Sequence, residues 1–179
     1  MRMATKEKIA NALQKMLRSK SFEDVSVGDI CKEIDISRTT FYRYFKDKYE
    51  CMNWVYQNQI RILLEKNQNI DDWKTMVYDV TCAMYERKEF FTKVSTYKEQ
   101  NSLMDCIFEC GYNYLEDMLK KELQISELPA DLHWSCCMSV KGSVYLLECW
   151  LRDGCKESPE FIAKLQCDNV PLKIAKYFR

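Results

Sequence analysis

The chain of 179 residues contains little glycine, proline or histidine: 4 Gly, 3 Pro and 1 His. Because glycine and proline punctuate turns, their scarcity argues against a turn-rich β fold and favours long helices. A single histidine leaves no plausible Ser/His/Asp or Cys/His catalytic constellation. The sequence also lacks a glycine-rich phosphate loop and a carboxylate pair at recognisable spacing. We therefore expect neither an enzyme nor a bound cofactor.

Long hydrophobic runs are also missing. No segment approaches the roughly 20 apolar residues that cross a membrane, and no apolar run follows Met1. Apolar residues make up 47% of the chain and charged residues 30%, which is typical of a soluble globular protein. We expect a cytoplasmic protein without a membrane partner.

Cysteine, in contrast, is abundant, with 10 residues and no C-x-x-C pair. Most of these cysteines occupy apolar helical positions, which favours reduced, buried thiols that act as small hydrophobic residues. Two alternatives stay open, a redox sensor and a metal sensor. Cys106 and Cys110 are one helical turn apart, and Cys136 and Cys137 lie close in sequence to His133. No ligand spacing resembles a known zinc site, so we expect no metal.

Charge is balanced overall but unevenly distributed. The formal net charge is zero, yet residues 1–50 hold 11 Lys and Arg against 8 Asp and Glu, whereas the remaining 129 hold 16 against 19. This modest polarity places the basic surface in the first 50 residues. A nucleic-acid partner would bind there, because phosphates require positive charge.

The segment 26–48 predicts two short helices separated by a tight turn. Ser26 and Asp29 have the spacing of a capping box at the start of the first helix, and Ser37 is the natural N-cap of the second. Two capped helices joined in this way are typical of a helix-turn-helix, whose second helix enters the DNA major groove. The alternative is a small solvated helix in an ordinary all-α protein.

The segment Thr40–Lys48, with the pattern T-F-Y-x-Y-F-K-D-K, closely resembles the end of the DNA-binding domain of TetR-type (tetracycline-repressor-like) transcriptional regulators. One departure lies in the turn, where the family usually has a small residue and glycine and this chain has Ile34 and Asp35. Aspartate tolerates the left-handed conformation better than most residues, so we expect the turn to be kept. The resemblance implies an all-α fold of about nine helices, with a three-helix DNA-binding domain over residues 1–47 and a helical ligand-binding and dimerisation domain over 48–179.

The resemblance and the side-chain chemistry together predict the DNA-contacting residues. Arginine and threonine suit base edges, while tyrosine and serine hydroxyls and lysine ammonium groups suit phosphate oxygens. Bases would be read by Arg38, Thr39 and Thr40, and Arg43 has the chemistry for either target. The full predicted set is Ser26, Ser37, Arg38, Thr39, Thr40, Tyr42, Arg43, Tyr44 and Lys48.

A second resemblance covers about 30 residues around W-L-R-D-G, Trp150–Gly154. It is similar to the C-terminal domain of a TetR subgroup that includes regulators linked to dihydroxyacetone kinase operons. This implies that the eighth and ninth helices pair with those of a second subunit. The predicted interface residues are Ser139, Gly142, Ser143, Leu147 and Leu151, and packing within one subunit remains the alternative.

By the same resemblance, a small hydrophobic or aromatic effector would bind among helices 4 to 8. Aromatic and methionine side chains suit such ligands, although an aromatic stripe is also typical of an ordinary core. The predicted lining comprises Trp54, Met84, Tyr85, Phe108 and Tyr112.

These inferences predict a homodimeric regulator that binds a palindromic operator as a repressor and is released from it by a small ligand. The alternative is a co-activator or interaction protein whose C-terminal domain binds a protein partner. A pocket crowded shut by its own side chains would favour that alternative.

Overall fold

The computed structural model describes residues 2–66, 72–96 and 102–178, and within these ranges it is all-α, with ten helices and no strand. The all-α prediction is confirmed, and the tenth helix is a single short turn near the C-terminus. The helices are α1 (Arg2–Met16), α2 (Val27–Glu33), α3 (Arg38–Tyr42), α4 (Lys48–Lys66), α5 (Trp73–Glu86), α6 (Lys88–Ser95), α7 (Leu103–Leu123), α8 (Ala130–Arg152), α9 (Pro159–Asp168) and α10 (Leu172–Ala175). None of the described helices is long and apolar enough to cross a membrane.

The two short helices α2 and α3 begin at the caps that the sequence predicts. The Ser26 hydroxyl accepts a hydrogen bond from the Asp29 amide at 3.1 Å, and the Asp29 carboxylate accepts one from the Ser26 amide at 3.0 Å. The Ser26 hydroxyl and then the Ser26 amide, which both donate to the Asp29 carboxylate, lower the pKa of Asp29. The Ser37 hydroxyl accepts from the Thr40 amide at 3.0 Å, which caps α3. Both caps are confirmed, and they satisfy amides that the helices cannot pair themselves.

The turn between α2 and α3 depends on Asp35, which adopts the left-handed conformation with φ of 53°. The turn closes with a hydrogen bond of 3.0 Å from the Ile36 amide to the Cys31 carbonyl. Asp35 therefore fills the position where glycine would be unstrained, as expected from the sequence.

A compact apolar core holds the first three helices together. Its side chains are shielded almost completely from solvent, and they come from α1, α2, α3 and the segments that connect them: Ile9, Leu13, Phe22, Val25, Ile30, Phe41 and Phe45. Since Phe41 belongs to α3, its burial fixes which face of that helix turns outward.

Helix α4 connects this core to the remainder of the chain. It packs against α1 on one side and against α5 and α7 on the other. Trp54 lies at the junction, with its ring centroid 5.9 Å from that of Phe45 and 5.8 Å from the Lys6 ammonium. Any displacement of α4 therefore acts on both halves of the protein.

The C-terminal helices form a bundle in which α5 packs against α9 and α7 against α8. Gly154, with φ of 79°, ends α8 in the left-handed conformation. The Ser158 hydroxyl accepts from the Phe161 amide at 3.3 Å and caps α9, whose first residue is Pro159. The indole of Trp150 donates to the Glu157 carbonyl at 3.0 Å, which fixes the loop between α8 and α9.

Substitutions at Asp35 test the strain in the turn. We expect Asp35→Gly to raise the free energy of unfolding by about 0.5 kcal/mol and Asp35→Val to lower it by about 1–2 kcal/mol, because a β-branched residue tolerates positive φ poorly. Lys32→Gly, in the neighbouring helix, serves as the control and should lower stability by about 0.5–1 kcal/mol. Urea unfolding measures all three, and equal effects of glycine at positions 35 and 32 would contradict the assignment.

Candidate nucleic-acid interface

Helix α3 presents a polar outer face opposite a buried anchor. Phe41 is fully buried, while Arg38, Thr39, Tyr42 and Arg43 are exposed. Of the other predicted contacts on this segment, Thr40 and Tyr44 are half-buried. The exposed side chains carry a guanidinium at each end of the helix and hydroxyl groups between them. Such a face offers hydrogen-bond donors to both base edges and phosphates.

Gly28 on α2 supports the position of Arg38. A Cβ atom at Gly28 would lie 2.9 Å from Nη2 of Arg38, so the guanidinium rests where a side chain would otherwise stand. Gly28 was not among the residues predicted from the sequence. Glycine is unfavourable inside a helix, and its presence in the first turn of a seven-residue helix is the signal that could have revealed it.

Three predicted hydroxyl contacts have intramolecular partners. The Ser26 hydroxyl donates to the Asp29 carboxylate at 2.6 Å, and the Ser37 and Thr40 hydroxyl oxygens lie 3.0 Å apart. These groups build the ends of α2 and α3. Among the predicted contacts, the outward-facing chemistry is therefore concentrated in Arg38, Thr39, Tyr42 and Arg43.

Lys48 has a different environment from the one expected for a phosphate contact. Its ammonium donates to the carbonyls of Phe22 at 2.8 Å, Glu23 at 3.0 Å and Val25 at 2.8 Å, and it lies 4.8 Å from the centre of the Phe22 ring. Partial burial lowers the pKa of Lys48, while the charges of Glu23 and Asp24 oppose this shift. All three N–H donors are committed to the loop before α2, which leaves none for a phosphate oxygen in this conformation.

The C-terminal bundle encloses a cavity of about 70 Å³ among α4, α5, α7, α8 and α9. Its wall is almost entirely apolar and includes Tyr56, Ile60, Trp73, Met76, Ile107, Gly111, Tyr114, Val140 and Leu147, with Ser139, Ser143 and Gln166 as polar members. The Trp73 indole N–H is buried without a hydrogen-bond partner among the described residues. Since the share of one liquid water molecule is about 30 Å³, the cavity has room for only a very small ligand.

None of the five side chains predicted to line a ligand pocket lies on this cavity, because each packs elsewhere in the bundle. Trp54 is at the junction with Phe45, and Met84 is buried in the core. The Tyr85 ring stacks on Trp150 with centroids 6.0 Å apart. The Phe108 ring stacks on Tyr112 at 6.0 Å, and Tyr112 bonds to His133. Aromatic content alone did not distinguish side chains that line a ligand pocket from side chains that pack in the core.

Small residues mark the cavity better than aromatic ones. Gly111 on α7 faces α8, where a Cβ atom would lie 3.3 Å from Val140 Cγ1. Ser139 and Ser143 stand one turn apart on α8 and also border a surface groove between α8 and α9. Small residues at facing positions of two apolar helices were therefore the feature of the sequence that could have predicted this cavity.

The residues predicted for a subunit interface fall into two groups. Ser139, Gly142 and Ser143 border the groove between α8 and α9, and a Cβ atom at Gly142 would meet nothing within 4 Å. Leu147 and Leu151, however, are 4% and 0% exposed and belong to the core of the same chain. The apolar and small residues of α8 thus lie on two faces, one in the core and one at the groove. The periodicity of the sequence did not separate these two faces.

A second set of α8 and α9 residues is apolar and, apart from the half-buried Leu165, exposed. We call this set the α8–α9 face: Trp134, Met138, Gly142 and Tyr145 on α8, and Phe161 and Leu165 on α9. Trp134 is 65% exposed, Met138 73%, Tyr145 65% and Phe161 52%. The four α8 positions are spaced by four, four and three residues and therefore share one side of the helix.

Comparison with known protein families accounts for both halves of this architecture. Residues 9–54 match the family model described as bacterial regulatory proteins, tetR family. Residues 71–170 match the model described as transcriptional regulator C-terminal region. These matches define a DNA-binding transcription regulator rather than an enzyme. The chain belongs to the TetR family of transcriptional regulators.

Individual relatives agree with this assignment. The chain is 27% identical over 132 residues, 73% of its length and 67% of the relative's, to the HTH-type dhaKLM operon transcriptional activator DhaS of Lactococcus lactis subsp. lactis (strain IL1403). It is also 27% identical over 110 residues, 62% of its length and 56% of the relative's, to an HTH-type transcriptional regulator of Staphylococcus aureus (strain USA300).

Solved structures share the fold. The structure of a dihydroxyacetone kinase operon activator DhaS superposes with a TM-score of 0.71, covering 99% of both chains at 19% identity. That of Thermus thermophilus FadR, a TetR-family repressor in complex with lauroyl-CoA, gives 0.64, with 92% of both chains covered at 13% identity.

The three hydrogen bonds from the Lys48 ammonium to the loop before α2, which we call the Lys48 clamp, yield a stability prediction. We expect Lys48→Met to lower the free energy of unfolding by about 2 kcal/mol, because charge-assisted hydrogen bonds to three carbonyls are lost. Lys46→Met, which removes an exposed lysine two residues away, is the matched control and should stay within about 0.5 kcal/mol of the parent. Chemical denaturation measures both variants. Equal stability of the two would show that the clamp contributes nothing.

Proposed function

We propose that this regulator binds a palindromic operator as a homodimer, with one α3 helix in each of two successive major grooves. The observation that carries the proposal is the exposed row of Arg38, Thr39, Tyr42 and Arg43 opposite the buried Phe41. A twofold dimer places two such helices about 34–36 Å apart, which is one turn of DNA. Two half-sites are needed because a five-residue helix contacts too few bases for tight binding.

Within this proposal, base reading falls to the first turn of α3. Arg38 offers a guanidinium that suits the two acceptors of guanine, and Thr39 suits either a base edge or a thymine methyl group. Thr40 and Ser37 contribute mainly by capping the helix. Tyr42, Arg43 and Tyr44, at the far end, would hold phosphates. Because the Lys48 ammonium donates to three carbonyls of its own chain, we do not include it among the proposed phosphate contacts.

The α8–α9 face is the proposed subunit interface. Soluble proteins rarely leave a contiguous row of large apolar side chains in water, and such a row marks an interaction site. Gly142 lies in the middle of the row and permits close approach of another helix. Leu147 and Leu151 would then support the interface from inside the chain rather than contact the partner.

The cavity constrains the regulatory signal. Pockets for drug-sized ligands enclose about 300–1,000 Å³, whereas this cavity measures about 70 Å³. A long acyl chain such as the one in the FadR complex would not fit without displacing helices. A ligand that fits as the bundle stands would be small and apolar, with one hydrogen-bond acceptor for the Trp73 indole.

The crowded cavity also favours a second candidate function. The C-terminal half would bind a regulatory protein, and the regulator would activate rather than repress transcription. The Lactococcus relative is named an activator and Thermus FadR a repressor, so the comparisons do not favour the repressor that we expected from the sequence over an activator. Both candidates share the same DNA-binding mechanism and differ in what contacts the bundle and in the effect on transcription.

Arg38→Ala tests the assignment of base reading. We expect it to weaken binding to operator duplexes about 10- to 100-fold and to flatten the preference at one base pair of each half-site, because a bidentate contact is worth about 1–3 kcal/mol. Fluorescence anisotropy at a fixed salt concentration, with single-base variants of the operator, measures both effects. Lys156→Ala removes one exposed positive charge from the C-terminal half and is the control.

The control variant should bind as the parent does. If Arg38→Ala kept the parent's base preference while losing affinity, Arg38 would be a phosphate contact instead. If it bound as Lys156→Ala does, α3 would not lie against the operator.

Met138→Asp tests the subunit interface. A carboxylate in the centre of the α8–α9 face would have to be buried in the dimer, so we expect at least a tenfold weaker dimer and a parallel loss of operator binding. Analytical ultracentrifugation at micromolar concentration measures the association. Ile62→Asp, at a position on α4 that is 57% exposed, is the matched control and should remain dimeric. A dimeric Met138→Asp variant would place the interface elsewhere.

A further inference from the structure

Helices α7 and α8 bring together a chain of polar side chains that the DNA-binding function does not use. The Cys137 sulfur lies 3.8 Å from Nε2 of His133, and Nδ1 of the same ring lies 2.8 Å from the Tyr112 hydroxyl. That hydroxyl donates to the Glu116 carboxylate at 3.1 Å, and Glu116 pairs with Lys120 at 3.3 Å. The chain contains one histidine, and this cluster holds it.

The direction of each hydrogen bond in this cluster follows from the Glu116 carboxylate. A carboxylate only accepts, so the single phenol proton of Tyr112 points to Glu116. Burial, and secondarily the bond to Glu116, raise the pKa of Tyr112, so the phenol keeps this proton. The Tyr112 oxygen must then accept from Nδ1–H of His133. In the neutral ring, Nε2 is therefore the unprotonated nitrogen, and it faces the thiol of Cys137 as a proton acceptor.

The neighbouring Cys136 provides a contrast on the same turn. Cys136 is fully buried, and burial, with smaller contributions from Cys137 and Glu116, raises its pKa to about 11. Cys137 is only half-buried. Of two adjacent thiols, one is thus enclosed and held as a thiol, and the other is accessible and faces a base. Activated cysteines in proteins combine the same two features, a partial exposure and a nearby histidine.

We propose that Cys137 is a modification site, a thiol that His133 activates and that hydroperoxides oxidise to a sulfenic acid. His133 is the positioning and proton-accepting residue, with Tyr112 and Glu116 fixing its tautomer. The site is separate from the α3 surface and from the apolar cavity, and it does not depend on operator binding.

The reaction balances with one hydroperoxide per thiol. The thiol proton moves to Nε2 of His133, and the thiolate sulfur attacks the terminal peroxide oxygen. An S–O bond forms as the O–O bond breaks. The proton held on His133 passes to the leaving oxygen, which departs as water or an alcohol. Sulfur is oxidised from thiol to sulfenic acid, and the peroxide is reduced.

Site-resolved trapping tests this proposal on the full-length reduced protein. Limiting hydrogen peroxide is added, sulfenic acid is trapped with dimedone at a series of times, and tandem mass spectrometry assigns the adducts. We expect Cys137 to be labelled at least about tenfold faster than Cys136 and also faster than Cys149. Cys149 is a stringent control because it is half-buried on the same helix and accepts a hydrogen bond from Arg152, a cation that also favours a thiolate, but it faces no histidine base within the described residues.

Variants separate activation from simple exposure. His133→Asn should slow labelling of Cys137 about tenfold or more and leave Cys149 unchanged, because the group that accepts the thiol proton is lost. If this variant fails to fold, Tyr112→Phe removes the acceptor for Nδ1–H and should slow Cys137 selectively. Labelling of Cys137 no faster than Cys149 would overturn the proposal. An unchanged Cys137 rate in a folded His133 or Tyr112 variant would do the same.

Discussion

The proposed DNA-facing surface of this protein depends on the burial of one side chain, Phe41. Helix α3 contains only five residues, and a helix of that length is not stable in water by itself. Its conformation depends on the Ser37 cap. Its orientation depends on Phe41, which is buried in the same core as Phe22 and Ile30. Because Phe41 points inward, Arg38, Thr39 and Tyr42 point outward. The recognition chemistry is therefore a consequence of packing in the domain behind it.

The same dependence extends into the C-terminal half through α4. Its first residue, Lys48, holds the carbonyls of the loop that leads into α2, and its later turns pack on α5 and α7. A shift of α4 would therefore carry the loop and the two helices that follow it. In the proposed dimer, a signal would need to move only this helix to change the separation of the two recognition helices, and differential binding of about 1–3 kcal/mol would be sufficient for regulation.

Local features of the fold were predictable from the sequence, because they depend on residues close together in the chain. The Ser26 and Ser37 caps, the left-handed Asp35 and the helix end at Gly154 all belong to this kind. The hydrogen bonds of Lys48 were not predicted, because its three acceptors lie 23 to 26 residues earlier and no local pattern reveals them. Trp54 and Tyr85 were expected at a pocket, but an aromatic side chain packs wherever a partner ring is available, as Phe45 and Trp150 are here. In α8 the apolar residues surround much of the helix, so periodicity alone did not separate the inward-facing Leu147 from the outward-facing Met138.

Selection of genomic DNA fragments by the purified protein, at a stated moderate salt concentration, tests operator recognition by α3. We expect sequencing of the retained fragments to recover a palindrome whose half-sites lie about 10 base pairs apart, centre to centre. Retention of no sequence above background would contradict it, since a correctly formed and outward-facing α3 would then lack a preferred site.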